Sequence, residues 1–98
     1  LIMDVEYDDG QIEVEIVHER RGKDVYFSID HTWLRTEWDV RRAELPASVT
    51  SKIEAVYPTW KIDDAEYIET PSGQWYKIEL EKGDAEKEIR ITPDGNIL

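Results

Sequence analysis

Glu44-Leu45-Pro46-Ala47-Ser48-Val49-Thr50-Ser51-Lys52-Ile53-Glu54-Ala55-Val56-Tyr57-Pro58 is the one stretch of this chain with helical periodicity. Val49, Ile53, Val56 and Tyr57 recur at i, i+4, i+7 and i+8, which puts them on a single apolar stripe. Ser48, Thr50, Ser51, Lys52 and Glu54 fall on the wet side. Pro46 suits a first helical turn, where a missing N–H costs nothing. Pro58 ends the segment, because the residue before a proline avoids the helical region. The reading is one helix over about residues 46–57.

On both sides of it the apolar residues alternate with period two. Val5 and Tyr7 alternate with Asp4, Glu6 and Asp8, and Asp9-Gly10 supplies a hairpin turn. Ile12, Val14 and Ile16 alternate with Glu13 and Glu15, giving a strand with one apolar and one acidic face. A turn is expected over Arg20 to Lys23, around Gly22. Val25, Phe27 and Ile29 then alternate with Tyr26, Ser28 and Asp30, and a fourth strand covers about Leu34 to Val40, with Thr36, Trp38 and Val40 on one side. Beyond the helix, strands are expected from Trp60 to Tyr67, Trp75 to Glu81 and Glu86 to Thr92, with a stub at Ile97-Leu98. Turn residues Pro71-Ser72-Gly73, Gly83-Asp84 and Pro93-Asp94-Gly95 separate them. The fold class is α+β: an antiparallel sheet of about seven or eight strands with the helix packed on one face.

Ninety-eight residues allow a single domain with one core. Lys and Arg number 12 against 23 Asp and Glu, a net charge of −11. Nucleic-acid binding needs a basic face, and anionic lipid repels this balance, so neither is a partner class suggested here. At 40% hydrophobic and 10% aromatic the chain is too apolar for a disordered acidic tail. No apolar run approaches the roughly 20 residues of a membrane span. The absence of cysteine removes disulfides, thiolate metal sites and cysteine nucleophiles together.

The residues that carry chemistry are few. His18 and His31 have no His-x-His or His-x3-His spacing that would pre-form a zinc site on one element. Ser28, Asp30 and His31 contain triad residue types, but adjacent strand residues point to opposite faces, so Asp30 is badly placed to orient His31. The doublets Asp8-Asp9 and Asp63-Asp64 are the nearest thing to an acid–base pair. Such catalysis needs one carboxyl desolvated in a cleft, whereas both doublets lie beside turns or strand starts. The Asp-x-Asp-x-Asp-Gly calcium loop and a phosphate-cradling glycine loop are both missing. No catalytic residue, metal ligand or cofactor is assigned.

The two parts of the chain also resemble each other. Ile2-Met3-Asp4-Val5-Glu6-Tyr7 matches Ile62-Asp63-Asp64-Ala65-Glu66-Tyr67, and Val14-Glu15-Ile16 lines up with Ile78-Glu79-Leu80. Phe27-Ser28-Ile29-Asp30 lines up with Ile89-Arg90-Ile91-Thr92. This divides the single domain into residues 1–43, a partial first unit of strands alone, and residues 44–98, a helix plus strands. The chain opens at Leu1 inside a strand-like stretch, so a segment upstream, with the first unit's helix, is expected, and residues 1–98 themselves show no signal-peptide pattern.

Glu44-Leu45-Pro46-Ala47, the helix through Ile53 to Tyr57-Pro58, Lys61-Ile62 to Tyr67, Gln74 to Leu80 and the closing Thr92-Pro93-Asp94-Gly95-Asn96 together resemble the PepSY-like family, related in fold to β-lactamase-inhibitor-like (BLIP-like) proteins. The likeness is good over residues 44–98 and weaker over 1–40. It implies tandem units sharing one sheet, in a periplasmic or secreted bacterial protein whose better-known relatives bind or inhibit other proteins. The cysteines of the classical secreted inhibitors are absent and none of their inhibitory loop residues is matched, so inhibition of β-lactamase is not carried over.

The expectation for function is therefore a non-catalytic, extracytoplasmic binding module, an inhibitor or sensor of another protein. The alternative is a small acidic metal-binding or hydrolytic domain using the Asp/Glu doublets. A helix covers one face of such a sheet, leaving the other to solvent or a partner. If Tyr76, Ile78 and Leu80 face the helix, then Trp75 and Lys77 face away. Tyr26 and Ser28 likewise oppose Val25 and Phe27. These four residues are the candidate binding set, since aromatics dominate interface hot spots. A second surface follows from the absent first-unit helix: Ile12, Val14, Ile16, Phe27 and Ile29 would form a bare apolar face, through which a homodimer is expected.

Overall fold

The period-two segments become seven strands in the computed structural model of the chain, which describes residues 1–98. The order along the chain is β1 (Ile2–Asp8), β2 (Gln11–His18), β3 (Arg21–Ser28), β4 (Trp33–Asp39), a 3-10 turn (Arg42–Glu44), α1 (Ala47–Val56), β5 (Lys61–Thr70), β6 (Gly73–Lys82) and β7 (Ala85–Ile91). All seven strands lie in one antiparallel sheet in sequence order, and Ile97 adds an isolated bridge to Ile91. Strands β4 and β5 are neighbours in this meander even though α1 sits between them in sequence. The helix therefore rises out of the sheet, crosses one face and returns.

Side-chain alternation divides the sheet cleanly. Pairs Ala65↔Ile78, Tyr67↔Tyr76, Ile78↔Ile89 and Tyr76↔Ile91 share the helix side of β5–β7. There they meet Val49 and Ile53 of α1, with Leu45 and Leu80, in one buried cluster. Ile78 and Leu80 are wholly buried. Glu44 fixes the approach to this cluster. Its carboxylate accepts the Arg41 backbone N–H at 2.8 Å and pairs with the Arg21 guanidinium, tying the start of β3 to the helix lead-in.

The first four strands carry the same alternation without a helix above them. Ile12 is the only buried residue before Leu45. Val14, Ile16, Val25 and Phe27 pair along the helix-side face of β2 and β3 and are partly exposed, while Tyr7 at the edge is 78% exposed. Ile29 departs from the expectation. It sits in the turn after β3, 68% exposed, and takes no part in this face.

Three further differences from the periodicity have local causes. The turn expected around Gly22 instead occupies Glu19-Arg20, both with positive φ, and Gly22 lies inside β3. That placement keeps Val14 opposite Val25 and Ile12 opposite Phe27, and a slip by one residue would turn every apolar side chain to the wrong face. Pro46 is the N-cap of α1 rather than a residue of its first turn. Val56 is 48% exposed at the helix's last turn, and Tyr57 and Trp60 pack against the core there instead.

Gly95 is required for close approach: it has a φ of +92°, and a Cβ there would lie 2.7 Å from the Ser48 carbonyl oxygen. Two substitutions test this account of the core. Ile78→Ala is expected to cost about 2–5 kcal/mol in urea denaturation, as for other fully buried aliphatics. Gly95→Ala is expected to cost at least ~1 kcal/mol from backbone strain alone. Gly22→Ala, with open space at its Cβ and no positive φ, should change the midpoint little.

Candidate functional site

The face opposite α1 is built by the other half of each alternation, and it is dominated by carboxylates. Asp4, Glu6, Glu13 and Glu15 are paired across β1 and β2. Asp24, Glu37 and Asp39 follow across β3 and β4, and Glu66, Glu79 and Glu88 continue over β5–β7. Like charges placed directly across a sheet repel. Accordingly Glu6 is pushed above its ordinary range by Asp4 and Glu13, and Glu79 by Glu86. Partial burial raises Asp24, with Glu13 and Glu15 adding to it.

Cations and aromatics are threaded through this acidic field. The Arg35 guanidinium lies 3.8 Å above the Tyr26 ring, and its Nε donates to Glu37 at 2.8 Å. The Tyr26 hydroxyl donates to Glu13 at 3.2 Å, and burial together with Glu37 and Glu13 pushes its pKa up to about 12. Next to it is an open cavity of about 220 Å³ lined by Asp8, Asp9, Gln11, Glu13, Tyr26 and Arg35. Across the sheet, Trp75 pairs with Ile68, which is buried, and Arg90 stands 5.9 Å over the indole. The Trp75 indole nitrogen is shielded and has no acceptor. Lys77 bridges Glu66 at 3.5 Å and Glu88 at 3.7 Å. Its own pKa is raised chiefly by Glu66, while burial lifts Glu66 against the pull of Lys77.

Trp75, Lys77 and Tyr26 therefore sit on the face opposite the helix. Trp75 and Tyr26 are on different strands at separate points of it, not in one pocket. Ser28 is at the end of β3, where its hydroxyl bonds to Asp30 and accepts the Thr32 N–H at 3.2 Å, within the turn. Asp8 and Asp9 stand at the β1–β2 turn, and Asp63-Asp64 at a register break in β5. No three His, Asp or Glu side chains converge as metal ligands would.

One feature escaped the sequence reading. On the helix side, an open groove of about 350 Å³ is lined by His18, Arg21, Lys23, Trp38, Tyr67 and Tyr76, among others. Trp38, Tyr67 and Tyr76 form a ladder with centroids 4.9 and 4.8 Å apart, and Lys23 lies 4.2 Å over Trp38. The available signal was the clustering of His18, Arg21 and Lys23 in an otherwise acidic chain. Without the β4–β5 register, no face could be given to Trp38.

Residues 3–98 match the family model described as "Putative beta-lactamase-inhibitor-like, PepSY-like". Among solved structures, the chain resembles a BLIP-like protein from Bacteroides fragilis NCTC 9343, with a TM-score of 0.88 at 23% identity, over 99% of this chain and 70% of that one. It also resembles a DUF2874 family protein from Bacteroides ovatus ATCC 8483, with a TM-score of 0.86 at 22% identity, over 99% and 72%. A third neighbour, described as "putative periplasmic proteins" from Bacteroides eggerthii DSM 20697, has a TM-score of 0.83 at 20% identity, over 99% and 73%. At these identities the likeness is one of fold. No curated protein matches the chain. No helix is long and apolar enough to cross a membrane.

The charge arrangement has a signed consequence for pH. Glu6, Asp24, Glu66 and Glu79 bind protons more readily folded than unfolded, so stability rises as pH falls into their raised range. Glu44 acts in the opposite sense. The Arg41 N–H and then Arg21 hold it at about 2, and its contribution, whole above its ordinary 4.5, is lost as pH falls toward 2. Asp30 and Asp94, lowered by hydrogen bonds from Ser28 and Thr92, behave likewise. The urea midpoint is therefore expected to rise from pH 7 to about pH 5 and to fall again in stronger acid. Added salt should raise it at pH 7 by screening the carboxylates.

Proposed function

The chain belongs to the PepSY-like, β-lactamase-inhibitor-like family, and we propose that it is a non-catalytic binding module that docks another protein on the open face of its sheet. The observation that carries this reading is the face itself: the half-buried Tyr26 and Trp75 supply apolar area on a sheet without a covering layer, inside a field of carboxylates. Rigid aromatics with a polar surround are the usual anatomy of a protein-recognition surface. Lys77, anchored between Glu66 and Glu88, and Ser28 in its turn belong to the margins of this surface.

Charge selects the kind of partner. A face lined by Glu13, Glu37 and Glu66 in a chain of net charge −11 favours a basic or neutral surface over an acidic one and speeds its encounter. The fold neighbour described as periplasmic and the family's kinship to inhibitor-like proteins support an extracytoplasmic setting and an inhibitor or sensor role.

The test is a capture experiment from a bacterial envelope fraction with wild type and a Trp75→Ala, Tyr26→Ala double variant. A protein held by wild type, released at high salt and lost by the still-folded double variant is the expected result. Equal capture by both would assign the aromatics to bracing the sheet. Titration with divalent cations in a calorimeter checks the rival acidic-site reading, for which stoichiometric heat would be the signature. None is expected.

A further inference from the structure

One end of the helix side departs from the apolar pattern of the rest. Along β2 the residues on this side run Ile12, Val14 and Ile16 and then His18, and along β3 Phe27 and Val25 give way to Lys23 and Arg21. The hairpin therefore gathers an imidazole, an ammonium and a guanidinium where the sheet passes from β3 to β4. Beside them Trp38, Tyr67 and Tyr76 step across β4, β5 and β6 as the tilted aromatic ladder. Together they wall the open groove of about 350 Å³, a volume within the range of small-molecule sites.

The charges in this groove do not balance locally. Four cations of the chain are half-buried, Arg21, Lys23, Arg35 and Lys77, and every other Lys and Arg is exposed. Three of the four hold a carboxylate: Arg21 has Glu44, Arg35 has Glu37 and Lys77 has Glu66. Lys23 has none within ion-pair distance. Its Nζ lies 3.3 Å from His18 Nδ1 and 4.2 Å over the Trp38 ring. An ammonium only donates, so Nδ1 accepts and the neutral imidazole carries its proton on Nε2. Neither neighbour brings a negative charge, and a cation partly withdrawn from water is costly without one. The groove's own carboxylates do not remedy this. Glu44 is engaged by Arg21 and the Arg41 N–H, and Glu19 is exposed in the turn. The Tyr67 and Tyr76 hydroxyls make no hydrogen bond within the chain, and burial holds both above the ordinary tyrosine range, so they stay protonated donors. The groove offers unspent donors along an aromatic wall and lacks an acceptor for them.

We infer that this groove is a binding site for a small aromatic carboxylate, with its charge against Lys23 and its ring against Tyr67. The ligand's carboxylate supplies the counter-charge that the other three half-buried cations find within the chain. Its ring extends the ladder by the same tilted contact that joins Trp38 to Tyr67. His18 acts as a positioning residue, holding the ammonium over Trp38. A large acidic surface is a poor occupant, because the net charge of −11 repels it. A single carboxylate on a compact apolar body matches both the one unpaired cation and the size of the groove. This site is on the opposite side of the sheet from the docking face proposed above and does not depend on it.

The probe is 2-naphthylacetate, titrated into the isotope-labelled 98-residue chain and followed by NMR. Saturable shifts centred on His18, Lys23, Trp38 and Tyr67 are expected, with a Kd of about 1 mM, as suits a ligand of this size. The uncharged 2-naphthylacetamide, and acetate without the ring, should each bind about tenfold more weakly or worse. Lys23→Met should weaken 2-naphthylacetate to a similar degree, while Lys23→Arg, which keeps the cation, should hold it within about threefold. The amide and acetate arms use the unaltered chain, so they decide the matter even where a variant fails to fold. No saturation at about 10 mM, shifts centred on other cations such as Lys87 and Arg90, or equal binding of either analogue would each overturn the inference. So would undiminished binding by a folded Lys23→Met, or loss of binding by a folded Lys23→Arg.

Discussion

A ten-residue helix is about 15 Å long and roughly 10 Å wide, whereas seven strands at about 4.8 Å spacing spread close to 30 Å. That mismatch of area governs this molecule. One helix shields three strands on one face. Everything that is buried well follows from it: Val49 and Ile53 over Ile78, Leu80, Ile89 and Ile91. Everything that is left for recognition is the remainder, namely the whole of the opposite face and the helix-side face of β1–β3.

The two remainders differ in chemistry because alternation sends different residues to each. Toward the helix side the first three strands send Val14, Val25, Ile12 and Phe27, while the opposite side receives Glu13, Glu15, Asp24 and Tyr26. The acidic side is held at some electrostatic cost, visible in the raised carboxyls of Glu6 and Asp24. Arg35 over Tyr26 and Lys77 between Glu66 and Glu88 relieve part of it. Surface pairs of this sort contribute little to stability, which leaves them free to serve orientation. Glu44 is the contrary case, a carboxylate fully engaged by Arg41 and Arg21 where the chain enters its helix.

Strong periodicity made most of the architecture legible in the chain itself. The stripe Val49, Ile53 marked the helix, and the alternations marked every strand, including the faces of Tyr76, Trp75 and Tyr26. What stayed hidden depended on pairing partners. Gly22 looked like a turn residue, but matching Val14 to Val25 mattered more than glycine's freedom, and Glu19-Arg20 took the turn. Trp38 had no assignable face until β5 placed Tyr67 opposite it. The groove beside Lys23 was invisible for the same reason, since its walls come from strands joined only through the sheet.

The meander also sets the order in which the fold can assemble. Every strand pairs with its neighbour in sequence, and only the β4–β5 contact must wait for a long excursion to close. Such local wiring favours rapid zipping, yet the two ends do not share its benefit equally. Residues 1–40 hold a single buried side chain, Ile12, so hairpins there form without an anchor. The half that carries α1 is the natural nucleus, and the earlier strands are templated on the edge that β5 presents. On a ribosome the least self-sufficient half emerges first. The charges of β1 (Asp4, Glu6 and Asp8 along an exposed edge) then act as guards, keeping an unanchored strand from pairing with its neighbours' copies until the core arrives.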